Sequence, residues 1–423
     1  MLDIKLIREK PDFVRKNCKN RGYDEKLVDN VLELDRKWRE LKGKDDNLRA
    51  ERNKVSQEIN LAKKQEQDVE AILKRAREIT RELENNEKEE NVLKQKIDEI
   101  LSLMPNIYSE DAPIGGEEKN KEILRWGKIP KIKNPKSHLE FGEALDIIDI
   151  KRAVKIAGAG FYMLKGKGAV LQRALIQFML DFHNKNGFIE INPPQLVNRK
   201  TAFGTGNLPK FEEQLYTTRD NLVLIPTAEV PVTNIYADEV LKEKDLPKKF
   251  CAFTECYRTE AGRHAGEEGL FRLHQFEKVE MVYICKPEDS WKFLEEMTGN
   301  SEKILKLLEI PYRKLFLATA DAGFASAKTY DLEVWSPTMN KYLEVASCSN
   351  CTDFQARRMN TKYQTKNNEL RFVHTLNGSG LALPRLMISL LECNQQKNGS
   401  IKIPKVLWKY TGFKEIKPAE EKK

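Results

Sequence analysis

The feature that most constrains the fold is a long segment, residues 27–103, that contains no proline and a single glycine, Gly43. The segment is rich in Glu, Lys, Arg and Leu, which favour the helical conformation. Hydrophobic residues recur in it at alternating spacings of three and four residues, along two stripes that are separated near residues 65–66. This spacing is typical of the seam of a coiled coil. The segment therefore predicts two long helices.

The two stripes also match each other. If the chain reverses at residues 65–66, each position of the first stripe faces a position of the second, and the residue numbers of every facing pair add up to the same value. Asp45 then faces Asn86, and a polar layer of this kind can fix the register of a coiled coil. We therefore expect an antiparallel two-helix hairpin over about 27–103, within an N-terminal domain of residues 1–110.

Basic side chains gather near the predicted turn. On a long helix, most charged side chains serve only to keep the surface hydrated. Two thin helices, however, have too little core to form an active site, and basic residues at the end of a hairpin are well placed to contact phosphates. The basic residues near the turn are Lys63, Lys64, Lys74, Arg75 and Arg77.

Composition narrows the class of protein. The 423 residues are 40% hydrophobic and 33% charged, with a formal net charge of +8, which permits a core and an anionic partner. No apolar run is long enough to span a bilayer. The seven cysteines are sparse and odd in number, which indicates a reducing compartment. Because Asp3 and Glu9 make the first residues unlike a signal or transit peptide, we expect a cytoplasmic protein that does not contact membranes.

The sequence changes character after the hairpin. Residues 111–135 carry several prolines and glycines and are interpreted as a linker. Over residues 136–413, helical patterns alternate with β-rich runs such as Thr329–Trp335, which predicts an α+β domain built on an antiparallel β-sheet flanked by helices. Residues 414–423 are rich in Lys and Glu and are expected to form a charged tail.

The common nucleotide-binding signatures are missing, since the sequence has no GxxxxGK[ST] loop and no complete GxGxxG. The chemistry of residues 136–413 is therefore indicated by clusters of polar residues. Arg258, Arg272 and Arg385 lie in separate segments and can together neutralise a triphosphate, since guanidinium pairs bidentately with phosphate. Hard oxygen ligands that suit Mg²⁺ are offered by Glu260, Glu344 and Ser347.

The order of these clusters resembles that of the seryl-tRNA synthetases, a class II family, over nearly the whole chain. Residues 187–194 resemble motif 1 of the family, which ends at a proline and builds a dimer interface. Residues 257–280 resemble motif 2, and residues 376–392 resemble motif 3. The hairpin is similar to the arm that binds the long variable arm of serine tRNA. Pro384 stands where the family has a glycine, and we expect it to be tolerated in the first turn of a helix.

The resemblance implies a set of site residues. Arg258, Glu280 and Arg385 are implied in catalysis, Arg258 on the α-phosphate and Arg385 on the γ-phosphate. The implied Mg²⁺ ligands are Glu344 and Ser347. The implied serine pocket consists of Thr227, Ala228, Glu229, Arg258, Glu280, Asn377 and Ser379. The implied ATP site consists of Arg258, Thr259, Glu260, Arg272, Leu273, Phe276, Glu344, Val345, Ala346, Ser347 and Arg385. The implied tRNA-binding residues are Lys63, Lys64, Lys74, Arg75 and Arg77.

The resemblance implies that a homodimer uses ATP and Mg²⁺ to activate L-serine as seryl-adenylate and transfers serine to the 3′ end of tRNA(Ser). No zinc is expected, because Cys348 and Cys351 supply only half of a tetrahedral site. Two alternatives remain: an enzyme that loads an activated amino acid onto a carrier protein, and an inactive coiled-coil scaffold. The hairpin argues against the first, and the intact arginines argue against the second. The glycine-rich segment 261–269 is predicted to be a loop, either one that contacts the acceptor end of tRNA or one without a ligand.

Overall fold

A computed structural model describes residues 1–260 and 269–418. Almost all of the predicted loop 261–269 and the last five residues of the predicted tail therefore lie outside the described residues. The chain divides into two compact units, Met1–Pro105 and Asn106–Lys423, and each is considered by itself.

The α-helices of the described residues are α1 Ile4–Glu9, α2 Pro11–Asn20, α3 Lys26–Lys64, α4 Glu70–Leu103, α5 His138–Ala144, α6 Ile150–Ala157, α7 Lys167–Lys185, α8 Arg199–Thr205, α9 Glu229–Thr233, α10 Ser290–Leu307, α11 Phe354–Met359, α12 Leu383–Cys393 and α13 Trp408–Thr411. The β-strands are β1 Lys121–Trp126, β2 Ile189–Glu190, β3 Leu196–Val197, β4 Val223–Leu224, β5 Val240–Lys242, β6 Lys248–Tyr257, β7 Gln275–Cys285, β8 Tyr312–Phe316, β9 Lys328–Ser336, β10 Lys341–Asn350, β11 Lys362–Gln364, β12 Leu370–Phe372, β13 His374–Ala382, β14 Ile401–Lys402 and β15 Glu415–Ile416.

The first unit is a helical hairpin, as the seam predicts. Helices α3 and α4 pack along each other and are joined by residues 65–69. The polar layer lies where the register requires it: Asn86 Nδ2 donates to Asp45 Oδ1 at 2.6 Å, and Asp45 is 1% exposed. Seam residues such as Val31 and Ile79 are fully buried. The predicted antiparallel pairing is thus confirmed.

The second unit is built on a sheet of eight strands within the described residues, in the order β1-β8-β9-β10-β13-β7-β6-β2. All neighbouring strands in it are antiparallel except β2 and β6, which are parallel. This confirms the predicted antiparallel sheet. Helices α7, α10 and α12 contact strand β7 and cover one face of the sheet.

Strand β7 shows how the sheet separates its core from its site. Successive side chains of a strand point to opposite faces. Val279 and Met281 belong to the hydrophobic core beneath the helices, whereas Phe276, Lys278 and Glu280 alternate with them and line a cavity on the other face. These three residues of motif 2 therefore lie on one surface, because they are spaced two residues apart.

Part of the predicted linker belongs to the sheet. Strand β1 lies within residues 111–135 and pairs with β8, and Trp126 stacks on Tyr312 with ring centroids 5.8 Å apart. The sequence does not reveal this strand, because it is an exposed, charged edge strand between prolines and glycines. Similarly, β15 lies in the predicted tail and pairs with β14. Across the two described ranges, no helix is long and apolar enough to cross a membrane.

Candidate active site

A cavity of about 310 Å³ opens on the face of the sheet opposite to α7, α10 and α12. It is lined by side chains from strands β7, β10 and β13, from the segment after β6 and from the start of α12. The residues of the predicted site that line it are Thr227, Glu229, Arg258, Glu260, Arg272, Leu273, Phe276, Glu280, Glu344, Val345, Ser347, Asn377, Ser379 and Arg385. The fold therefore brings together residues that are spread over more than 150 positions of the sequence.

One end of the cavity is built around the buried carboxylate of Glu280, which is 2% exposed. Thr227 Oγ1 donates to Glu280 Oε2 at 3.1 Å, and the Lys278 ammonium forms an ion pair with the same oxygen. Ser379 faces Glu280 across the β13–β7 pair and lies on the same surface. A buried carboxylate needs such partners, because an uncompensated charge in a low-dielectric site is costly. This part of the cavity therefore holds a lysine-paired carboxylate beside hydroxyl groups.

A second carboxylate, Glu229, lies nearby in a different environment. Gln355 Nε2 donates to Glu229 Oε1 at 2.7 Å, and Asn377 lines the same cavity. Burial, together with repulsion from Glu280, raises the pKa of Glu229 to about 7. An amide donor therefore holds Glu229 in place but leaves its charge dependent on pH in the neutral range.

Arg258 lines the cavity and directly follows β6. Its backbone N–H donates to the carbonyl of His274 at 2.9 Å, which ties the residue to the segment that leads into β7. The guanidinium lies 5.0 Å from the centroid of the Phe276 ring. Across residues 1–260 and 269–418, no carboxylate lies within ion-pair distance of Arg258. An arginine without an acidic partner over an aromatic ring is ready to take a phosphate or carboxylate from a ligand.

Arg385 lines the cavity from the first turn of α12. Its Nη1 donates to the backbone carbonyl of Glu344 at 2.9 Å and to Glu344 Oε2 at 3.3 Å. The guanidinium lies 5.1 Å from the centroid of Phe271, and the Arg272 guanidinium lies 5.9 Å from the same ring. Arg272 Nη1 is 3.6 Å from Glu260 Oε2. Two guanidinium groups therefore lie near one aromatic ring, and both can pair bidentately with a phosphate.

Two irregularities in the strands shape the cavity. The register between β10 and β9 shifts after Glu344, and that between β13 and β7 shifts after Ser379. Bulges of this kind redirect side chains. The extra residue of the second bulge is Gly380, where a Cβ would lie 2.6 Å from Nε2 of the buried His183. Only glycine fits at this position, so the bulge that presents Ser379 depends on it.

Pro384 lies in the first turn of α12, where the missing N–H of a proline costs no hydrogen bond. The helix begins at Leu383, and Arg385 lines the cavity. A proline in place of the family's glycine at position 384 is therefore compatible with the position of Arg385.

Glu344 and Ser347 offer the chemistry that Mg²⁺ prefers. Asp331 faces Ser347 across the β9–β10 pair, on the same side of the two strands. Burial and the nearby Glu344 carboxylate raise the pKa of Asp331 well above its ordinary value, and a bound dication would oppose this shift. Asp331 Oδ1 is buried and accepts no hydrogen bond from the described residues. These oxygens fit a cation that is shared with a substrate, because Mg²⁺ commonly takes one or two protein carboxylates together with phosphates. Within the part of the chain that is described, no three His, Cys, Asp or Glu side chains are grouped as a metal site.

Comparison with known families agrees with this geometry. The seryl-tRNA synthetase N-terminal domain family matches residues 1–108. The family described as the tRNA synthetase class II core domain (G, H, P, S and T) matches residues 210–394. A serine–tRNA ligase from Staphylococcus haemolyticus is 48% identical over 100% of both chains. The chain belongs to the seryl-tRNA synthetase family.

Other relatives in this family extend the comparison. A serine–tRNA ligase from Fervidobacterium nodosum is 46% identical over 99% of this chain and 100% of its own. The crystal structure of seryl-tRNA synthetase from Pyrococcus horikoshii complexed with ATP has a TM-score of 0.95, with 41% identity over 99% of this chain and 100% of the other. The cytoplasmic serine–tRNA ligase from Naegleria fowleri in complex with AMP has a TM-score of 0.88, with 31% identity over 99% of both chains. The family members are class II aminoacyl-tRNA ligases.

Three residues of the implied sites do not line the cavity. Ala228 and Ala346 are 0% and 1% exposed and belong to hydrophobic clusters. Thr259 points elsewhere, since its Oγ1 donates to the Glu213 carbonyl at 2.7 Å. These residues are neighbours of cavity residues in sequence, but their side chains lie on other surfaces.

Residues outside the predicted set also contribute to the cavity or support it. Lys278 could have been found from the sequence, because it lies two residues from both Phe276 and Glu280 on the same strand face. Phe271, Gln355 and Asp331 carry no comparable signal. Their roles depend on strand register and on the packing of α11, which one sequence does not reveal.

The predicted tRNA-binding residues lie in the helical hairpin. Lys63, Lys64, Lys74 and Arg77 are exposed near the turn. Arg75 differs, because its Nε donates to Glu51 Oε1 of the facing helix at 2.8 Å. The structure therefore leaves four of the five side chains exposed for a ligand.

Proposed function

We propose that this chain is a serine–tRNA ligase that activates L-serine with ATP and transfers the seryl group to the 3′ end of tRNA(Ser). The observation that carries this proposal is the single cavity in which the Thr227–Glu280 pair, Arg258 over Phe276, and Arg385 lie along one surface. The relatives named serine–tRNA ligase support the substrate, and the ATP and AMP complexes of solved relatives support the nucleotide.

Serine binding is assigned to the acidic end of the cavity. Glu229 and Glu280 attract the α-ammonium group, and Thr227 supplies a polar neighbour for the substrate. A pocket that forms hydrogen bonds with the serine hydroxyl discriminates strongly against alanine, which would leave buried polar groups without partners. The discrimination against threonine rests only on space for one methyl group and is weaker.

Adenylate formation follows from the order of groups along the cavity. The serine carboxylate attacks the α-phosphorus of ATP, and pyrophosphate leaves toward Arg385 and Arg272. Arg258, which lies over the Phe276 ring, is assigned to contact both the carboxylate and the α-phosphate, while Phe276 supports the adenine ring. No side chain is required to remove a proton, because the carboxylate is already an anion. Positioning and charge stabilisation therefore account for this step.

Mg²⁺ is proposed as the metal of the site, with Glu344 and Ser347 as its protein ligands. When bound, it would neutralise part of the phosphate charge. Glu344 also contacts Arg385, so this carboxylate connects the cation site with the arginine at the phosphate end.

The helical hairpin is proposed to bind tRNA(Ser), with Lys63, Lys64, Lys74 and Arg77 on phosphates and Arg75 positioned by Glu51. A ribose hydroxyl of the terminal adenosine, expected to be the 3′-hydroxyl for class II, then attacks the carbonyl carbon of seryl-adenylate. The ester forms as the bond to the α-phosphate breaks, and AMP leaves with the phosphate able to take the hydroxyl proton. The hairpin also argues against the carrier-protein alternative, because such an enzyme has no need of an RNA-binding domain.

A homodimer in the cytoplasm is proposed for the assembled enzyme. Motif 1 leads into β2, an edge strand of the sheet whose Ile189 is 57% exposed. An exposed apolar edge of this kind is a liability unless another surface covers it, and a second copy of the chain would do so.

The proposal is tested by serine-dependent exchange of labelled pyrophosphate into ATP. The purified chain is expected to catalyse exchange with serine and not with alanine. R385A should lower the exchange rate by about two orders of magnitude, because a charge-stabilising donor is lost. R357A is the matched control: Arg357 pairs with Asp353 outside the cavity at 2.7 Å, so exchange should be unaffected. Exchange supported by another amino acid and not by serine would refute the proposal.

A further inference from the structure

Asp331 is a buried acid that packing alone does not explain. The residue lies in the middle of β9 and is 9% exposed, between Tyr330 and Leu332 of the hydrophobic core. Its Oδ1 accepts no hydrogen bond from the residues that the structure describes. A carboxylate is costly to bury under these conditions, and an apolar residue would pack at lower cost. A residue retained despite this cost is a candidate for function.

The register of β9 and β10 places Asp331 directly behind the cavity. It faces Ser347, so the two side chains lie on the same side of the two strands. The next pair along the same face, Thr329 and Ser349, is joined by a hydrogen bond, with the hydroxyl oxygens 2.8 Å apart. Ser347 and Ser349 line the cavity, whereas Asp331 does not. Asp331 can therefore act on a ligand only through Ser347.

The direction in which Ser347 donates its proton matters for metal binding. A serine hydroxyl has one proton and two lone pairs. When the proton is donated to a carboxylate behind the residue, the lone pairs point the other way, toward the cavity. Carboxylates that orient a ligand from behind in this manner are a common feature of metal sites, and their loss costs roughly 10–100-fold in affinity.

We infer that Asp331 is a positioning residue for the divalent cation of the ATP site: it accepts the Ser347 proton and so directs the Ser347 oxygen toward the cation. The inference rests on the proposed function, because that function supplies the Mg²⁺ and the ATP. It adds a residue of a neighbouring strand to the two ligands Glu344 and Ser347.

The test measures cation affinity rather than turnover. Free Mn²⁺ is followed by electron paramagnetic resonance while it is titrated into the full-length protein with a non-hydrolysable ATP analogue. D331V removes the acceptor with little change of shape and should weaken Mn²⁺ binding by about tenfold or more. D331N keeps an acceptor oxygen but loses the charge, and should give a smaller loss of a few-fold. Binding of the analogue in EDTA should be the same for the wild-type protein and both variants.

E302Q is the matched control. Glu302 is a buried acid of helix α10 that does not line the cavity, and its carboxylate accepts from Tyr312 Oη at 2.8 Å. This variant removes a buried charge at a residue that faces neither Glu344 nor Ser347, so its Mn²⁺ affinity should stay within about twofold of the wild-type value.

A double-mutant cycle tests whether Asp331 affects the bound cation through Ser347. In the S347A background, D331N should cause no further loss, because Asp331 acts through Ser347. The comparison of D331N in the wild-type and S347A backgrounds still tests the inference if D331V does not fold. Unchanged Mn²⁺ affinity in D331V and D331N, or an equal loss with and without Ser347, would overturn the inference. Wild-type exchange without serine dependence would instead refute the proposed function.

Discussion

Glu229 and Glu280 have the same chemistry but different electrostatic surroundings. Glu280 has a lysine ammonium on its carboxylate, which compensates its charge. Glu229 has an amide donor from Gln355, and its pKa is raised to about 7 by burial and by the neighbouring carboxylate. A small change of pH therefore alters the charge of one side of the serine pocket.

Serine binding should strengthen as the pH rises through 7. Below this pH Glu229 is protonated, so a proton must leave before the carboxylate can pair with the α-ammonium group. We expect the affinity for serine, measured by calorimetry, to increase about tenfold from pH 6 to pH 8. E229Q should bind serine weakly at every pH.

The matched control for this experiment is E277Q. Burial also raises the pKa of Glu277 to about 7, but this residue is on the opposite face of β7 from the cavity, where Tyr162 contacts it. E277Q should keep the full pH dependence. If E229Q keeps it and E277Q loses it, the assignment of Glu229 is wrong.

Replacement of Thr227 should raise the KM for serine and leave the KM for ATP nearly unchanged. T227V removes the donor to Glu280 and leaves that buried carboxylate with one partner fewer, so the serine KM in pyrophosphate exchange should rise by about tenfold or more. The ATP KM should change by less than about twofold.

T233V is the comparison for the Thr227 variant. Thr233 is fully buried in α9, and its hydroxyl makes no hydrogen bond with any part of the chain that the structure describes. Its replacement by valine should therefore leave both KM values unchanged. Equal effects of T227V and T233V would mean that Thr227 acts only through packing.

The residue scale also shows what the sequence can predict about the site. Arg258, Glu280 and Arg385 were expected in the site, because their motifs are specific and each motif lies in one short segment. Asp331 and Gln355 could not be expected, since each reaches the site through a neighbouring element. Only the register of β9 with β10 places Asp331 behind Ser347, and register depends on the packing of the whole sheet.

At the scale of elements, the hairpin was the most predictable part of the fold. Its periodicity is local and long, and the facing positions of two stripes constrain each other. The bond between Asp45 and Asn86 confirms the expected register. One basic residue near the turn, Arg75, is held by Glu51, because interhelical ion pairs compete with any ligand for side chains beside the seam.

Short or irregular elements were less predictable. Strand β1 is a short, exposed strand, so it lacks the apolar alternation that identifies a half-buried strand. The bulges after Glu344 and Ser379 also escape sequence reasoning, although the second depends on a glycine. These irregularities lie at the cavity, where the strands depart from regular geometry to present side chains.

At the scale of the whole molecule, the two units suggest a division of labour. The unit Asn106–Lys423 contains the cavity, and the unit Met1–Pro105 contains the basic turn. The net charge of +8 alone does not identify an RNA-binding surface, because basic and acidic residues are mixed along both helices. The division predicts that amino-acid activation and tRNA binding can be separated.

The most direct measurement of the central claim is the esterification of labelled serine to purified tRNA(Ser). It compares the full chain with a variant in which residues 40–90 are replaced by a short glycine-containing turn. The full chain is expected to charge tRNA(Ser), and the variant is expected to lose charging while it keeps serine-dependent pyrophosphate exchange. Absence of charging by the full chain, or full charging by the variant, would contradict the account.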